Sequence, residues 1–134
     1  MAAPRIPASI AHVALTVSDL ERSIDWYTRL FGARPAFTGT MLHDTPHEYR
    51  LAVWPELDFA LHHFVQGEGG TFHERRPGLD HLAFTCGDQA ELDAWIAHLD
   101  ELGITRSDVL EEPYGLGLAF RDPDDIALEF FVAA

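Results

Sequence analysis

The sequence predicts an α+β fold built from two copies of one βαβββ module in a single chain. Three observations support this prediction: a histidine-containing strand motif that occurs twice, an amphipathic helix after each copy, and three short strands after each helix. The modules span 8–65 and 79–132, and a linker rich in glycine and charge, 66–78, separates them. We therefore expect the 134 residues to form a single domain, 1–134.

The first strand of each module carries a histidine on a face of small side chains. AHVALTV (11–17) contains His12, and DHLAFTC (80–86) contains His81. Because side chains alternate between the two faces of a strand, each histidine shares its face with an alanine and a threonine. Larger apolar side chains occupy the other face and suit packing against a helix. The small side chains leave room for a ligand beside each histidine.

A helix is predicted after each of these strands. Ser18 and Glu21 have the spacing of a capping box before the first helix, and Asp88 and Glu91 have it before the second. Apolar side chains then recur at helical spacing until a glycine ends each run. We interpret the aromatic side chains of both helices as core residues.

Three short strands are predicted after each helix. They cover 34–40, 48–55 and 58–65 in the first module, and 104–112, 115–121 and 125–132 in the second.

The last strands of the two modules add two more side chains of the metal-ligand type. FALHHFV (59–65) aligns with IALEFFV (126–132), which places His62 opposite Glu129. Burial of an unpaired carboxylate in an apolar strand is costly, and a bound cation removes that cost. His63 is the alternative to His62, because a strand bulge would exchange the two positions.

Four such side chains at matching places of a repeat predict one divalent metal site. They are His12, His62, His81 and Glu129. Three imidazoles and a carboxylate suit zinc, nickel, cobalt, iron or manganese, whereas calcium takes roughly six to eight oxygen ligands.

Composition restricts the partners and the compartment. The formal net charge is −13, and the field of so acidic a chain repels nucleic acids and anionic membranes, so neither is an expected partner. Cys86 is the only cysteine, so no disulfide within the chain is expected. Neither a signal peptide nor a membrane span is predicted. These features predict a cytoplasmic protein.

The motifs resemble those of the vicinal oxygen chelate superfamily, which includes glyoxalase I, extradiol dioxygenases and bleomycin resistance proteins. HVALTVSDLERSIDWYTRLFGA (12–33) is similar to the opening strand and helix of that family. GLDHLAF (78–84) and RDPDDIALEFF (121–131) are similar to its fifth and eighth strands. The resemblance implies that the two modules form a cup-shaped half-barrel, the glyoxalase-like fold, often within a homodimer.

The resemblance also implies a metal held by the first, fourth, fifth and eighth strands, which here means His12, His62, His81 and Glu129. An octahedral ion with four protein ligands keeps two positions for a substrate with two vicinal oxygens. The metal then stabilises an enediolate as a Lewis acid while a base moves a proton between neighbouring carbons. A glyoxalase-like lyase or isomerase is the expected function, with Glu129 as the catalytic base.

Two alternative functions remain open. An extradiol-type Fe(II) dioxygenase would use His12, His81 and Glu129 as a 2-His-1-carboxylate triad, and a bound His62 argues against it because that chemistry needs three open positions. A non-catalytic drug-binding or resistance protein agrees with the negative charge but not with four intact ligands. Thr16 stands where glutathione-dependent glyoxalase I carries an arginine, so a glutathione hemithioacetal is not the expected substrate.

Five further residues are candidates for contacts with the substrate near the mouth of the expected cup: His47, Tyr49, Arg50, Trp54 and Tyr114. Arg50 offers a cation to an anionic substrate group. The aromatic side chains offer a pocket lining, and core packing is the alternative role for them.

Overall fold

The computed structural model describes residues 2–41 and 47–134. The first five elements are β1 (Val13–Thr16), α1 (Leu20–Phe31), β2 (Phe37–Met41), β3 (Tyr49–Trp54) and β4 (Phe59–Phe64). The next five are β5 (Leu82–Cys86), α2 (Gln89–Glu101), β6 (Leu110–Glu112), β7 (Gly115–Arg121) and β8 (Ala127–Ala133). A short 3-10 helix, Pro55–Leu57, joins β3 to β4. The predicted α+β fold of two βαβββ modules is confirmed. Within the described residues, neither helix has the length and apolar content needed to cross a membrane.

Each module forms its own four-stranded sheet. The strand orders are β1-β4-β3-β2 and β5-β8-β7-β6. In both sheets the first strand of the module runs parallel to the last, and the other neighbours are antiparallel. The two strands of a module that carry the predicted ligands are therefore direct neighbours.

The chain divides into two compact units, one around each sheet. Unit 1 contains the described residues of Met1–Ile24 and Arg34–Glu68, and unit 2 contains Asp25–Ala33 and Gly69–Ala134. The boundary falls inside α1, so the second half of this helix belongs to the same unit as β5 to β8. The predicted modules, 8–65 and 79–132, follow the repeat in the sequence, whereas the units follow packing. The single domain 1–134 stays a prediction.

Contacts of Trp26 and Tyr27 explain why the second half of α1 belongs to unit 2. The ring centroid of Trp26 lies 6.3 Å from that of Phe120 on β7. Tyr27 is fully buried, and its hydroxyl donates a 2.7 Å hydrogen bond to Oδ2 of Asp122. An aromatic contact and a buried polar contact thus join this half of the helix to the second sheet.

The predicted cap of α2 is confirmed. The Asp88 side chain accepts a 2.9 Å hydrogen bond from the backbone N–H of Glu91. The Glu91 carboxylate in turn accepts a hydrogen bond from the backbone N–H of Gly87. The N–H of Glu91, which the helix leaves unpaired, is satisfied in this way, and so is the N–H of Gly87 just before the cap.

The predicted capping box of α1, Ser18 with Glu21, is wrong. Oδ1 of Asp19 accepts a 3.0 Å hydrogen bond from the backbone N–H of Arg22, so Asp19 is the cap. The Glu21 carboxylate bonds the guanidinium of Arg50. Serine and aspartate are both good caps, and adjacent candidates cannot be ranked by spacing alone.

Strand β6 is shorter than the predicted 104–112, because only Leu110–Glu112 pairs regularly with β7. Earlier in the chain, the backbone N–H of Ser107 donates to the carbonyl of Ala119 at 2.8 Å. The Ser107 hydroxyl accepts the N–H of Ala119 at 3.0 Å. A side chain therefore replaces one backbone acceptor, and the regular ladder begins only after it.

Candidate metal centre

His81 and Glu129 lie beside each other in unit 2. Glu129 of β8 pairs with Ala83 of β5, and Ala83 shares its strand face with His81. Nε2 of His81 lies 3.6 Å from Oε2 of Glu129, whose side chain is 24% exposed. Two of the four predicted ligands, an imidazole and a partly buried carboxylate, are therefore adjacent in unit 2.

Asp80 fixes the position of the proton on His81. Nδ1 of His81 lies 2.7 Å from Oδ1 of Asp80. An ionised carboxylate only accepts hydrogen bonds, so Nδ1 carries the proton and donates it. In the neutral imidazole, Nε2 then bears the lone pair that a metal ion needs.

Gly117 of β7 leaves space for the Glu129 carboxylate. A Cβ at position 117 would lie 2.9 Å from Oε1 and 3.3 Å from Cδ of Glu129. Both distances are shorter than ordinary van der Waals contact. The observed position of the carboxylate therefore depends on the missing side chain at Gly117.

His12 and His62 form a second pair in unit 1. His62 of β4 pairs with Thr16 of β1, so it lies on the face of the sheet that carries His12. Burial lowers the pKa of His62, and the charge of nearby His12 lowers that pKa further. A neutral imidazole is the form that binds metal ions, so this environment suits a ligand.

Tyr49 stacks on His62. The two ring centroids are 4.4 Å apart, and the ring planes are inclined by 16°. Tyr49 lies on β3, next to β4 in the sheet. The stack restricts the orientation of the His62 ring, and it places one predicted substrate contact beside a predicted ligand.

His63 lies on the opposite face of β4 from His62. Its Nδ1 is 3.0 Å from the backbone carbonyl oxygen of Val17, which can only accept a hydrogen bond, so Nδ1 donates. β4 pairs in regular register with β1 and β3, without the bulge that would exchange the two histidines. His62 is therefore the histidine on the same face as His12.

The sheet registers differ from the sequence alignment of the last strands. Ala14 pairs with Ala60 in unit 1, and Ala83, which corresponds to Ala14, pairs with Glu129 in unit 2. The counterpart of Glu129 is therefore Ala60, and the predicted equivalence of Glu129 with His62 is wrong.

The counterpart of His62 is Phe131, because His62 pairs with Thr16 and Phe131 pairs with Thr85. The sequence alignment of β4 with β8 therefore differs from the observed register by two residues along the strand. Such a displacement keeps every side chain on its own face, so the alternating pattern is equally satisfied by both registers. The predicted face was therefore right although the predicted position along it was not.

The four predicted ligands occur as two pairs, His81 with Glu129 and His12 near His62. Within residues 2–41 and 47–134, no group of three or more histidine, cysteine, aspartate or glutamate side chains has the arrangement of a metal site.

Two predicted substrate contacts have partners within unit 1. Trp54 is completely buried and its ring lies 5.9 Å from that of Phe59, so it is a core residue. Arg50 is partly exposed and forms an ion pair with Glu21. An exposed ion pair of this kind contributes little to stability.

The remaining predicted contacts are exposed. His47 is exposed, and Tyr114 is 66% exposed. The ring centroid of Tyr114 lies 6.0 Å from that of Phe131, the counterpart of His62. Tyr114 therefore lies beside Phe131 in unit 2 much as Tyr49 lies beside His62 in unit 1.

The sequence-based prediction missed Asp80 and Gly117. Asp80 directly precedes His81, and an acid beside a suspected ligand is a signal that could have found it. Gly117 gives no comparable signal, because its importance depends on the register of β7 with β8.

Comparison with known proteins places the chain among related sequences. Residues 9–130 match the profile of the Glyoxalase/Bleomycin resistance protein/Dioxygenase superfamily. The chain is 31% identical over 123 residues to the cadmium-induced protein CadI of Mycobacterium tuberculosis, a match that covers 88% of this chain and 66% of CadI. It is 32% identical over 133 residues to the uncharacterized protein YwkD of Bacillus subtilis, covering 92% of this chain and 95% of YwkD.

A solved structure with the same fold is similar over nearly the whole chain. The crystal structure of a glyoxylase/bleomycin resistance protein/dioxygenase domain from Frankia sp. EAN1pec is 32% identical, with a TM-score of 0.74. The match covers 96% of this chain and 94% of that chain.

Proposed function

We propose that this chain, which belongs to the Glyoxalase/Bleomycin resistance protein/Dioxygenase superfamily, is a metal-dependent enzyme that binds a small substrate through two vicinal oxygens. Its reaction is that of a glyoxalase-like lyase or isomerase. The proposed ligands of one divalent zinc, nickel, cobalt, iron or manganese ion are His12, His62, His81 and Glu129. The observation that carries the proposal is the position of Nε2 of His81, 3.6 Å from the partly buried Glu129 carboxylate.

The chemistry of the donor set fits such an ion. Asp80 holds His81 in the tautomer that leaves Nε2 unprotonated, and burial favours the neutral form of His62. Both conditions are required of histidine ligands, and a carboxylate behind a ligating histidine is a common outer partner in zinc sites. When bound, the ion supplies Lewis-acid stabilisation of negative charge that develops on the substrate.

Glu129 is the residue to which we assign proton transfer. Oε2 faces His81, and Oε1 lies against Gly117, where no side chain restricts its movement. The carboxylate takes a proton from one substrate carbon and returns it to the neighbouring carbon, as a general base and then a general acid. His81, whose proton is on Nδ1, has no proton at Nε2 to exchange with the carboxylate, and its proposed role is to bind the ion.

The proposed substrate is a small molecule with adjacent oxygens and without a glutathione moiety. Thr16 is exposed beside His62 and offers no cation to a carboxylate. Tyr49, Tyr114 and His47 remain proposed contacts, and Arg50 joins them if the substrate displaces Glu21. Homodimer formation and a cytoplasmic location belong to the same proposal, and they rest on family membership and composition.

Cobalt(II) titration of metal-free protein tests the ligand set, because visible absorption reports both occupancy and coordination. We expect one ion per chain, a loss of affinity of about tenfold or more in His62→Ala and Glu129→Ala, and no loss in His63→Ala. His63→Ala is the matched control, because the same substitution is made on the opposite strand face. Acetohydroxamate, a chelator with two vicinal oxygens, should then change the cobalt spectrum. Absence of cobalt binding, or full affinity in Glu129→Ala, would contradict the proposal.

The register of β4 favours a second candidate, an extradiol-type Fe(II) dioxygenase. The position that corresponds to Glu129 is occupied by Ala60, which cannot bind a metal. A three-ligand set of His12, His81 and Glu129 is the facial triad of non-haem iron oxygenases. Iron retained in His62→Ala but lost in Glu129→Ala, together with oxygen consumption on catechol, would favour this function. A chain that binds none of the five metals would instead be a small-molecule binding protein.

A further inference from the structure

We propose that a pocket in unit 2 binds a small aromatic molecule with one anionic group, at a place separate from the candidate metal centre. The pocket has a volume of about 580 Å³, within the range of about 300–1,000 Å³ that is typical of small-molecule sites. It is formed by the second half of α1, the chain after α2 and the connection between β7 and β8. Neither His81 nor Glu129 contributes to its wall.

Part of the pocket wall is apolar. Trp26 of α1, Leu102 and Ile104 after α2, and Pro123 after β7 contribute to it. The Trp26 ring packs edge-on against that of Tyr27, with centroids 4.8 Å apart and planes inclined by 80°. The indole is thus fixed by the core while part of it stays exposed. A fixed aromatic plane beside aliphatic side chains suits a flat ring.

Arg29 is the cation that the pocket offers to a ligand. It lies one helical turn after Trp26, is exposed, and forms no ion pair within residues 2–41 and 47–134. The other arginine in the wall, Arg121, donates two hydrogen bonds of 3.0 Å to the Glu74 carboxylate. The charge of Arg121 is therefore compensated, whereas Arg29 has no ion-pair partner in the described part of the chain.

The acids in the wall do not neutralise Arg29. Asp122 is 6% exposed, and its carboxylate accepts hydrogen bonds from the Tyr27 hydroxyl and from two backbone N–H groups. Asp125 interacts electrostatically with Arg121, on the side of the β7–β8 connection. An anionic group is accommodated on the α1 side, where Arg29 forms no ion pair with any residue that the structure describes. In a chain with a net charge of −13, such a cation beside an apolar wall selects a single carboxylate or sulfonate.

The test uses 8-anilinonaphthalene-1-sulfonate, which combines aromatic rings with one anionic group, and follows its fluorescence on the full chain. EDTA is present throughout, so failure of the metal proposal does not affect the result. We expect one probe per chain and a dissociation constant raised about fivefold or more in Arg29→Gln and in Trp26→Leu. Arg22→Gln, an arginine on the same helix outside the pocket, is the matched control and should bind as the wild type does.

A neutral probe and an NMR signal make the test independent of any folding defect in Trp26→Leu. N-phenyl-1-naphthylamine lacks the sulfonate and should bind equally to the wild type and to Arg29→Gln. In the wild type, the sulfonate probe should shift the indole N–H resonance of Trp26 and leave that of the buried Trp54 unchanged. Equal affinity of the sulfonate probe for the wild type and Arg29→Gln would overturn the proposal, as would an unshifted Trp26 resonance.

Discussion

The carboxylate of Glu129 lies so close to Gly117 that a Cβ on this glycine would come within 2.9 Å of Oε1. The two residues lie on the neighbouring strands β8 and β7. The atom that would clash is the far end of a flexible side chain, so the carboxylate can move away without disturbing the backbone. The missing side chain at Gly117 therefore leaves room for the proposed ligand, and the fold itself depends little on it.

We expect Gly117→Ala to fold normally but to bind metal more weakly. The new methyl group displaces the Glu129 carboxylate, and displacement of a proposed ligand lowers metal affinity by about tenfold. Cobalt(II) titration measures the affinity, and thermal unfolding followed by circular dichroism measures the stability. Gly39→Ala is the control, because a Cβ there meets only the Phe37 ring, at 3.1 Å. Unchanged affinity in Gly117→Ala would show that metal binding by Glu129 does not depend on the missing side chain at position 117.

Removal of the Asp80 carboxylate should weaken the contribution of His81 to the site. Without the acceptor at 2.7 Å, the proton of His81 is free to move to Nε2, the proposed ligating nitrogen. We expect Asp80→Ala to lower cobalt affinity by about 10–100-fold and Asp80→Asn, which keeps an acceptor oxygen, to lower it less. Nitrogen NMR of the imidazole identifies the tautomer.

Asp93→Ala controls for the loss of one negative charge, because Asp93 is an exposed acid on α2 in the same unit. If Asp80→Ala and Asp93→Ala reduced the affinity equally, the effect of Asp80 would be one of net charge. Proton position would then have no role in it.

The order of the elements and the ligand-bearing faces could be predicted from sequence periodicity. Alternation along β1 and β4 places His12 and His62 on one face whatever the register, because side-chain direction depends only on local backbone geometry. The same argument placed His81 and Glu129 on one face of the second sheet, where they lie 3.6 Å apart.

The register and the distribution of α1 between the units could not be predicted in this way. A displacement of two residues leaves the apolar pattern of β4 intact, so only backbone pairing distinguishes Ala60 from His62 as the counterpart of Glu129. The placement of Asp25–Ala33 in unit 2 depends on tertiary contacts, such as that between Trp26 and Phe120. Helical periodicity identifies a buried face but not the sheet that covers it.

Tyr27→Phe should destabilise the protein. The Tyr27 hydroxyl donates a 2.7 Å hydrogen bond to Asp122, a buried acid whose other oxygen accepts two backbone N–H groups. Removal of the donor leaves one buried carboxylate oxygen unpaired, which costs about 1–3 kcal/mol. Urea denaturation measures the change in the free energy of unfolding.

Tyr114→Phe removes the same atom from a tyrosine that is 66% exposed, and it should change stability little. Equal losses in Tyr27→Phe and Tyr114→Phe would mean that the buried hydrogen bond contributes nothing specific.

The ion pair between Glu74 and Arg121 should make stability depend on acid pH. The hydrogen bonds from Arg121 are the largest cause that lowers the pKa of Glu74 from 4.5 to about 2. A carboxyl whose pKa is lower in the folded chain stabilises the fold above its unfolded pKa, and that contribution is lost as pH falls. For Glu74 the loss occurs between pH 4.5 and about 2. Carbon NMR of the Glu74 carboxyl measures its titration directly.

In Arg121→Gln the pKa of Glu74 should return toward 4.5. The part of the stability loss between pH 4.5 and about 2 that comes from Glu74 should then disappear. Arg106→Gln breaks a different exposed ion pair, with Asp100, and should leave the Glu74 titration unchanged. Since the bidentate contact is the main cause of the low pKa, Arg121→Lys should restore it only in part. A Glu74 titration that stays near pH 2 in Arg121→Gln would assign the shift to the backbone hydrogen bond at Glu74, the next largest cause.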